Sequence, residues 1–268
     1  MIPFRYTSKG RFVDFIYDAE ESPEEVRFKA NLDNGETIGR YAVYPAGNHR
    51  VSSEGDVYVN LPQKYEWVEG EVEVPMLAEI SDPSETVTFS HVGGVFAFDV
   101  AGVPAGATSF EFKASRLVTG DFSVADGKIA TLENEVASTV TFTFDALELV
   151  EDMKFFVPVP TGSYPGFTIT IYGGESSLAT KTAKSTNVIE RTALKKFSFA
   201  ASDIIYVTVD GSGQKTGESW ENAATLNGAL ASAGNGSVIR MAGGTYVPGT
   251  IISGAEEGAS DNFKTFLV

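Results

Sequence analysis

The stretch "VFAFDV" (residues 95–100) alternates large apolar side chains with small or charged ones. In an extended strand this spacing puts Phe96, Phe98 and Val100 on one face and Asp99 on the other. The alternation is typical of strands with one buried and one solvated face, which predicts antiparallel sheets. It recurs in "VRFKANL" (26–32), "DVYVNL" (56–61), "SFEFKA" (109–114), "TVTFTFDAL" (139–147), "MKFFVPV" (153–159) and "FTITIYGG" (167–174).

The predicted buried faces are rich in phenylalanine and valine. Beyond residues 95–100 they comprise Val26, Phe28, Ala30, Leu32, Val57, Val59, Leu61, Phe110, Phe112, Ala114, Val140, Phe142, Phe144, Ala146, Phe155, Val157, Phe167, Ile169 and Ile171. Turn sequences such as "DNGE" (33–36) separate the strands, as in sandwiches and barrels. Pro158 and Pro160 lack amide hydrogens, so they predict that their strand lies at a sheet edge. No convincing helical pattern occurs before residue 203, which predicts an all-β fold for residues 1–202.

The composition narrows the possible functions. The chain has 268 residues, of which 43% are hydrophobic, with 36 acidic and 20 basic residues and a net charge of −16. Such a surface repels phosphate backbones, so we expect no nucleic-acid partner. Because there is no cysteine, disulfides, thiolate catalysis and cysteine-built zinc sites are excluded. No window approaches the roughly 18 apolar residues of a membrane span, and the N-terminus lacks the pattern of a signal peptide.

Two breaks in the strand pattern suggest a division into three units. The first is "PMLAEISDPSE" (75–85), which carries two prolines among polar residues, and the second is "FAASDIIYV" (199–207). We therefore predict domains at 1–78, 79–202 and 203–268.

The last of these units has a different pattern, in "TLNGALASAGNGSVIRMAGGTYVPGT" (225–250). Apolar residues spaced i, i+3, i+4 and i+7 predict a short amphipathic helix, which we expect to end at Gly234. A strand within "SVIRMAGGTY" (237–246) follows. The residues on the apolar face of the helix are Leu226, Ala229, Leu230 and Ala233.

Several stretches suggest chemistry, but each has a simpler explanation that we favour. "DGSGQKTG" (210–217) resembles a phosphate-binding loop, yet Gln214 stands before Lys215 where that motif has glycine, so a glycine turn is favoured. His49 and His91 are the only histidines and neither lies near a second ligand motif, so a metal site or catalytic triad has little support. We expect His91 to be structural.

Acidic and aromatic candidates are interpreted in the same way. The cluster Glu20, Glu21, Glu24 and Glu25 is expected to be a solvated loop, with a cation site as the alternative. Tyr164 in "TGSYPGF" (161–167) and Trp67 in "YEWVEG" (65–70) are residue types that stack on sugar rings, but core or turn packing is the favoured role. The sequence thus predicts no catalytic, cofactor-binding or metal-binding residue and no cofactor.

An ordered series of segments resembles the fimbrillin family of type V pilin-like surface proteins. The segments are "RYAVYPAGN" (40–48), "PMLAEI" (75–80), "VTFSHVGGVFAFDV" (87–100), "PAGATSFEFKA" (104–114), "LVTGDFSV" (117–124), "FFVPVPTGSYPGFTITIYGGE" (155–175) and "ALKKFSFAASD" (193–203). The resemblance implies two tandem transthyretin-like β-sandwiches, export as a lipoprotein precursor, and assembly by addition of a strand from a neighbouring subunit. The chain departs from the family in its short N-terminal domain and in having no lipoprotein signal.

The C-terminal unit is similar to the N-terminal cap of right-handed parallel β-helix proteins of the pectate-lyase type. That resemblance implies a lead-in strand in "YVTVDGSG" (206–213), Trp220 packed beneath the capping helix, and a first rung at 237–246. Because one rung is not expected to bury Ile239 and Met241, and solenoids need several repeats, we expect a longer β-helix that this chain does not contain. The alternative is that the helix packs back onto the second sandwich.

These features favour a non-enzymatic protein of the cell surface or outer membrane, acting in adhesion or as part of a fimbria. Its expected partners are pilin-like subunits that add a β-strand, or glycans or proteins of another surface. The alternative is a polysaccharide-processing enzyme whose catalytic β-helix lies outside this chain, with the sandwiches as spacers. A carbohydrate-binding module formed by residues 1–202 is a third hypothesis.

Overall fold

The structure is a computed structural model. It describes residues 4–7, 12–14, 16–18, 27–29, 31–45, 47, 49–51, 56–80, 88–123, 137–234, 237–246 and 265–267. The strands of the first 123 residues are β1 (Phe4–Thr7), β2 (Phe12–Asp14), β3 (Ile16–Asp18), β4 (Arg27–Lys29), β5 (Ile38–Tyr44), β6 (Arg50–Val51), β7 (Val57–Leu61), β8 (Lys64–Glu66), β9 (Met76–Glu79), β10 (Ser90–His91), β11 (Gly94–Val103), β12 (Ser109–Ala114) and β13 (Gly120–Ser123).

The remaining elements are β14 (Thr139–Thr143), β15 (Glu151–Val159), β16 (Gly162–Tyr164), β17 (Phe167–Gly173), β18 (Ser176–Ala183), β19 (Asn187–Ile189), β20 (Leu194–Ala200), β21 (Ile204–Val207), α1 (Leu226–Ser232), β22 (Val238–Met241) and β23 (Thr265–Leu267). Within the described residues α1 is the only helix. The fold is therefore all-β, as the alternating sequence predicts.

The largest core lies between two facing sheets of unequal size. One has five strands in the order β18-β17-β12-β14-β8, and the other has three in the order β15-β11-β20. The apolar faces predicted for 95–100 and 109–114 point into this core and are buried. Phe98 lies within 5.4–5.8 Å, between ring centroids, of Phe110, Phe112, Phe167 and Phe197. Rings from both sheets thus fill one continuous interior.

Most of the predicted buried faces are confirmed, and the exceptions lie where strands end. Leu32 and Ala146 are exposed and Phe144 is half-buried, because β4 and β14 end before these positions. Alternation beyond the end of a strand no longer fixes which way a side chain points. The side chains of Val26, Phe28 and Ala30 lie outside the described residues.

The sandwich is mainly antiparallel, as predicted, but two of its strand pairs are parallel. β20 runs parallel to β11, and β8 runs parallel to β14. Alternating polarity identifies the buried face of a strand, but the pleat is the same in either pairing direction. Direction depends on which distant segments become neighbours. The predicted edge position is confirmed, since β15, which contains Pro158, pairs only with β11 among the described strands.

The N-terminal strands form further sheets that pair with later parts of the chain. One sheet has the order β10-β9-β5-β1-β2, and another has the order β13-β7-β6. The segment around residue 76, which the sequence suggests as a break, contributes β9 between β5 and β10. The division at 78 and 79 stays a prediction. A second core between these sheets contains Val43, Val57, Val59, Leu77 and Val92.

The C-terminal unit is a parallel sheet covered by α1. The sheet has the order β21-β22-β23 with both pairs parallel. Thr225 caps the helix by accepting a hydrogen bond on its side chain from the Gly228 amide at 3.2 Å. Leu226 and Ala229 are buried and Leu230 and Ala233 partly buried, which confirms the predicted apolar face. That face packs on the apolar side of this sheet and not on the second sandwich.

Three details of this unit differ from the sequence predictions. Trp220 does not lie beneath the helix: it is 45% exposed and packs edge-on against Tyr206, with 4.9 Å between ring centroids. The helix ends because Ala233 adopts an extended conformation with ψ of 127°, so Gly234 is not its terminating residue. Ile239 is fully buried: its strand β22 lies between β21 and β23, and its side chain belongs to the same core as Leu226 and Ala229 of α1.

A polar junction ties the parallel sheet to the sandwich. The Gly102 amide donates to Asp152 Oδ1 at 2.7 Å, and Ser202 Oγ donates to the Gly102 carbonyl at 2.6 Å. Arg240 of β22 forms an ion pair with the same carboxylate. Burial acts to raise the pKa of Asp152, but the Arg240 and Gly102 hydrogen bonds outweigh it and hold this pKa below its ordinary value.

The ring core predicts a large effect of one truncation. Phe98→Ala removes the ring that contacts both sheets, and we expect it to lower the free energy of unfolding by about 3–5 kcal/mol. The control is Leu149→Ala, at a position that is 65% exposed, where the change should stay within about 0.5 kcal/mol. Denaturant unfolding followed by fluorescence measures both, and equal effects would contradict a shared ring core.

Candidate functional site

The outer edge of β20 presents unpaired backbone groups. Along a strand, successive residues point their amide and carbonyl groups to opposite sides. The Ala193 carbonyl accepts from Val95 at 2.9 Å and the Ala201 amide donates to Ala101 at 2.7 Å, so odd-numbered residues of β20 bond to β11. Even-numbered residues, among them Lys196, therefore turn theirs outward. In the described part of the chain no strand pairs with this edge.

The side chains around this edge leave apolar surface partly uncovered. Phe197 and Phe199 point inward but are only half-buried, and Leu194 is 52% exposed. Phe197 contacts Phe167 of β17 with 5.1 Å between ring centroids, which places β20 above β17. Beyond β17 the larger sheet continues to β18, whose residues are mostly exposed. The smaller sheet thus stops one strand short of the sheet it covers.

A second feature is a cavity of about 750 Å³ at the opposite end of the larger sheet, beside β8. Its lining residues come from β7, β8, β14, the segment 68–75, and Pro45, Gly47 and His49. Tyr65 and Phe142 both line it and stack on each other with 5.1 Å between ring centroids. The volume is in the range of small-ligand sites.

The hydroxyl of Tyr65 is buried and makes no hydrogen bond within the described residues. Burial raises the pKa of Tyr65, and the negative charge of Glu73 raises it further, so the hydroxyl keeps its proton. Buried polar groups in folded proteins nearly always have a partner. This hydroxyl is therefore the exceptional group of the cavity.

A chain of hydrogen bonds links Pro45, His49 and Arg50, beside this cavity, to β7 and β13. The Asn60 amide donates to His49 Nδ1 at 2.9 Å, which leaves the proton on Nε2 to be donated to the Pro45 carbonyl at 3.0 Å. Asn60 Nδ2 and Arg50 Nε both donate to Asp121, at 2.8 and 2.6 Å. Burial lowers the pKa of His49 from 6.5, although the Pro45 carbonyl and Asp121 oppose this. His49 acts here as a neutral structural link.

The glycine-rich loop forms a turn, as favoured from the sequence, whereas the structural role expected for His91 stays a prediction. Residues 210–217 form a turn in which Lys215 Nζ donates to the Asp210 carbonyl at 2.8 Å, and Gly211 and Gly213 have φ of 71° and 48°. His91 lies in β10, paired with Met76. Within the described residues no three His, Asp or Glu side chains are grouped to hold a metal ion. The cluster at Glu20–Glu25 lies outside those residues.

The two aromatic candidates for sugar stacking are packing residues. Tyr164 is fully buried and donates its hydroxyl to the Pro160 carbonyl at 2.5 Å. Trp67 donates from Nε1 to the Lys154 carbonyl at 2.8 Å and packs on Phe144 and Phe155. The alternative of sugar stacking by these rings is wrong for Tyr164, because no face of its ring reaches solvent.

Comparisons with known proteins give limited information. No protein-family model matches the chain, and no curated protein matches it significantly. A proposed cell adhesion protein from Bacteroides uniformis ATCC 8492 is similar in structure, with 15% identity, a TM-score of 0.42, and coverage of 74% of this chain and 86% of that one. Another, from Bacteroides ovatus ATCC 8483, has 13% identity, a TM-score of 0.40, and coverage of 65% and 69%. Likeness of this degree shows neither a family nor a function.

Among the helices of the described residues, none has the length and apolar character needed to cross a bilayer.

The neutral state of His49 predicts a pH dependence of stability. Because the pKa of His49 is lower in the folded protein than its unfolded value of about 6.5, protonation favours unfolding between those two values. We expect the free energy of unfolding to reach its full value above about pH 6.5. It should decrease as the pH falls toward the lowered pKa of His49. Thermal unfolding measured as a function of pH should show this acid-side loss of stability for the wild type. The loss should be much smaller for His49→Gln.

The matched control is His91→Gln, which removes the other histidine of the chain. It should retain the acid-side loss of stability. If His49→Gln shows the same dependence as the wild type over this interval, the structural link assigned to His49 does not control it.

Proposed function

We propose that this chain is a non-catalytic component of a cell surface, acting in adhesion or in a fimbria-like assembly. In this proposal the outer edge of β20 receives an extended strand from a partner subunit. The unpaired edge of the smaller sheet, next to half-buried aromatic side chains, is the observation that carries the proposal. The ordered fimbrillin-like segments between residues 40 and 203 support it from the sequence.

The physical basis is β-strand addition. A strand laid beside β20 would pair with the outward amide and carbonyl groups, and its inward side chains would cover the exposed parts of Phe197 and Phe199. It would also extend the three-stranded sheet over β18, whose inward Ala179 and Ala183 already contact the core. Backbone hydrogen bonds supply affinity in this mode of recognition, and alternate side chains supply specificity.

The lysines of β20 bear on which strand is accepted. Lys195 and Lys196 lie on the edge strand, and Lys196 is exposed. Charged side chains, lysine above all, discourage unselective pairing along an open edge. An acidic residue opposite Lys196 would instead form a favourable cross-strand pair. The favoured partner is therefore an alternating apolar strand that carries a carboxylate at this register.

The absence of cysteine allows a direct test with single engineered thiols. Glu175→Cys lies in the exposed turn before β18, and Lys196→Cys lies on the β20 edge. We expect a membrane-impermeant maleimide to label Glu175→Cys on intact cells of the native host. Lys196→Cys should react in the purified protein but at least about fivefold less on cells, because an added strand shields it.

Ser198→Pro provides the matched backbone control. The outward amide of Ser198 belongs to the unpaired edge, so proline there blocks strand addition without removing a bond to β11. Placed in the Lys196→Cys chain, it should restore labelling on cells. Labelling of Glu175→Cys only after lysis would overturn the surface role. Equal labelling of Lys196→Cys on cells and in solution would overturn strand addition alone.

A further inference from the structure

Lys181 of β18 lies on the inward face of the larger sheet. Its partner on β17 is Ile169, which is buried in the sandwich core, and directly opposite residues of an antiparallel pair share a face. Ala179 and Ala183, two residues away on either side, pack against the same core. Lys181 nevertheless stays exposed, because the smaller sheet ends over β17 and no described strand covers β18.

A second lysine lies on the inward face of the smaller sheet. Phe197 of β20 points inward onto Phe167, and Lys195, two residues earlier in the same strand, therefore has the same direction. Lys195 is half-buried. One lysine on each inner face thus borders the open slot, which we define as the space beside β20 and above β18.

The charges of these two lysines are not balanced by nearby acids. The ion pairs of the described residues involve neither Lys181 nor Lys195. Residues 176–200 carry five basic side chains and one acidic side chain, in a chain whose net charge is −16. A local excess of positive charge attracts carboxylates and raises their local concentration.

A strand added beside β20 would cover Lys181 and remove it from water. Burying an ammonium group without a partner is costly, so an apolar side chain placed over Lys181 opposes binding. Inward-pointing charges are one of the devices by which proteins prevent unselective pairing at an open edge. A carboxylate on the inward face of the added strand removes this obstacle, because it pairs with the ammonium group.

We propose that Lys181 selects the strand that β20 receives, a proposal that rests on the strand addition described above. The selected strand has small apolar residues on its inward face, which cover Phe197 and Phe199, and one carboxylate among them that pairs with Lys181. Lys195 adds attraction for the same negative charge. This contact differs from the one at Lys196, which lies on the outward face of β20 next to the inward Phe197.

The selection acts mainly by rejecting wrong partners. Wholly apolar alternating strands are the ones most prone to pair with any open edge. They would have to bury the charge of Lys181, whereas a strand with an inward carboxylate gains an ion pair at the same position. Specificity of this kind combines an attractive contact with a penalty for competitors.

The probes are three peptides of about eleven residues, slightly longer than a usual strand. In each, threonine alternates with valine, and the central valine is kept or replaced by aspartate or asparagine. Each sequence is the same in both directions, so the result does not depend on whether the peptide binds parallel or antiparallel to β20.

An NMR titration of the full chain measures binding of each peptide. We expect the amide resonances of β20 to shift. The aspartate peptide should bind at least about tenfold more tightly than the asparagine peptide, the change expected for one charge-assisted contact, and this preference should shrink as salt is raised. The valine peptide should bind no better than the asparagine peptide.

Lys181→Gln locates the contact. It should abolish the preference for aspartate over asparagine and strengthen binding of the valine peptide, and its exposed position makes it compatible with folding. The matched control is Lys64→Gln, which removes the same charge from β8 at the other end of this sheet and should keep the preference.

The outcomes separate this proposal from strand addition itself. If the three peptides shift the β20 resonances with equal affinity, or if Lys181→Gln keeps the preference, selection by Lys181 is wrong and strand addition stands. Equal affinity for a polyglutamate peptide of the same length would show recognition of charge alone and would also overturn the selection. If no peptide shifts the β20 resonances, strand addition at this edge fails and the selection fails with it.

Discussion

The packing of phenylalanine rings between two unequal sheets is the interaction on which the rest of this structure depends. Phe98 of β11 lies between rings contributed by β12, β17 and β20, and Phe110 stacks on Phe155 with 4.1 Å between centroids. Aromatic side chains bury more area than other residues and prefer specific mutual orientations. Ring packing therefore fixes both the spacing of the sheets and the position of one over the other.

The inequality of the two sheets has a direct consequence. Three strands cannot cover five, so the smaller sheet ends over β17 and leaves β18 and the edge of β20 open. An open edge is a hazard for aggregation unless it is protected or used. The lysines of β20 discourage unselective pairing along this edge. The half-buried Phe197 and Phe199 leave apolar surface that a partner strand would cover. The proposed surface role rests on these two features: an edge that lysines make selective for its partner strand, and an apolar surface that the smaller sheet leaves partly uncovered.

The polar features of the chain stabilise connections between sheets. Asp152 joins the sandwich to the parallel sheet through Gly102 and Arg240, and Asp121 joins β13 to the chain near His49. Each carboxylate accepts hydrogen bonds from two groups that are distant in sequence. Tyr65 stands apart from these satisfied networks, since its hydroxyl is buried without a partner among the described residues.

The sequence by itself determined the all-β fold, the buried faces of most strands and the apolar face of α1, because side-chain alternation and helical spacing are local properties. It also predicted the packing role of Trp67 and the edge position of Pro158. Only the tertiary structure decided that β8 pairs in parallel with β14 and β20 with β11, that Trp220 lies exposed beside Tyr206, and that Tyr65 stacks on Phe142. Those features depend on which distant segments become neighbours, and local periodicity carries no information about that choice.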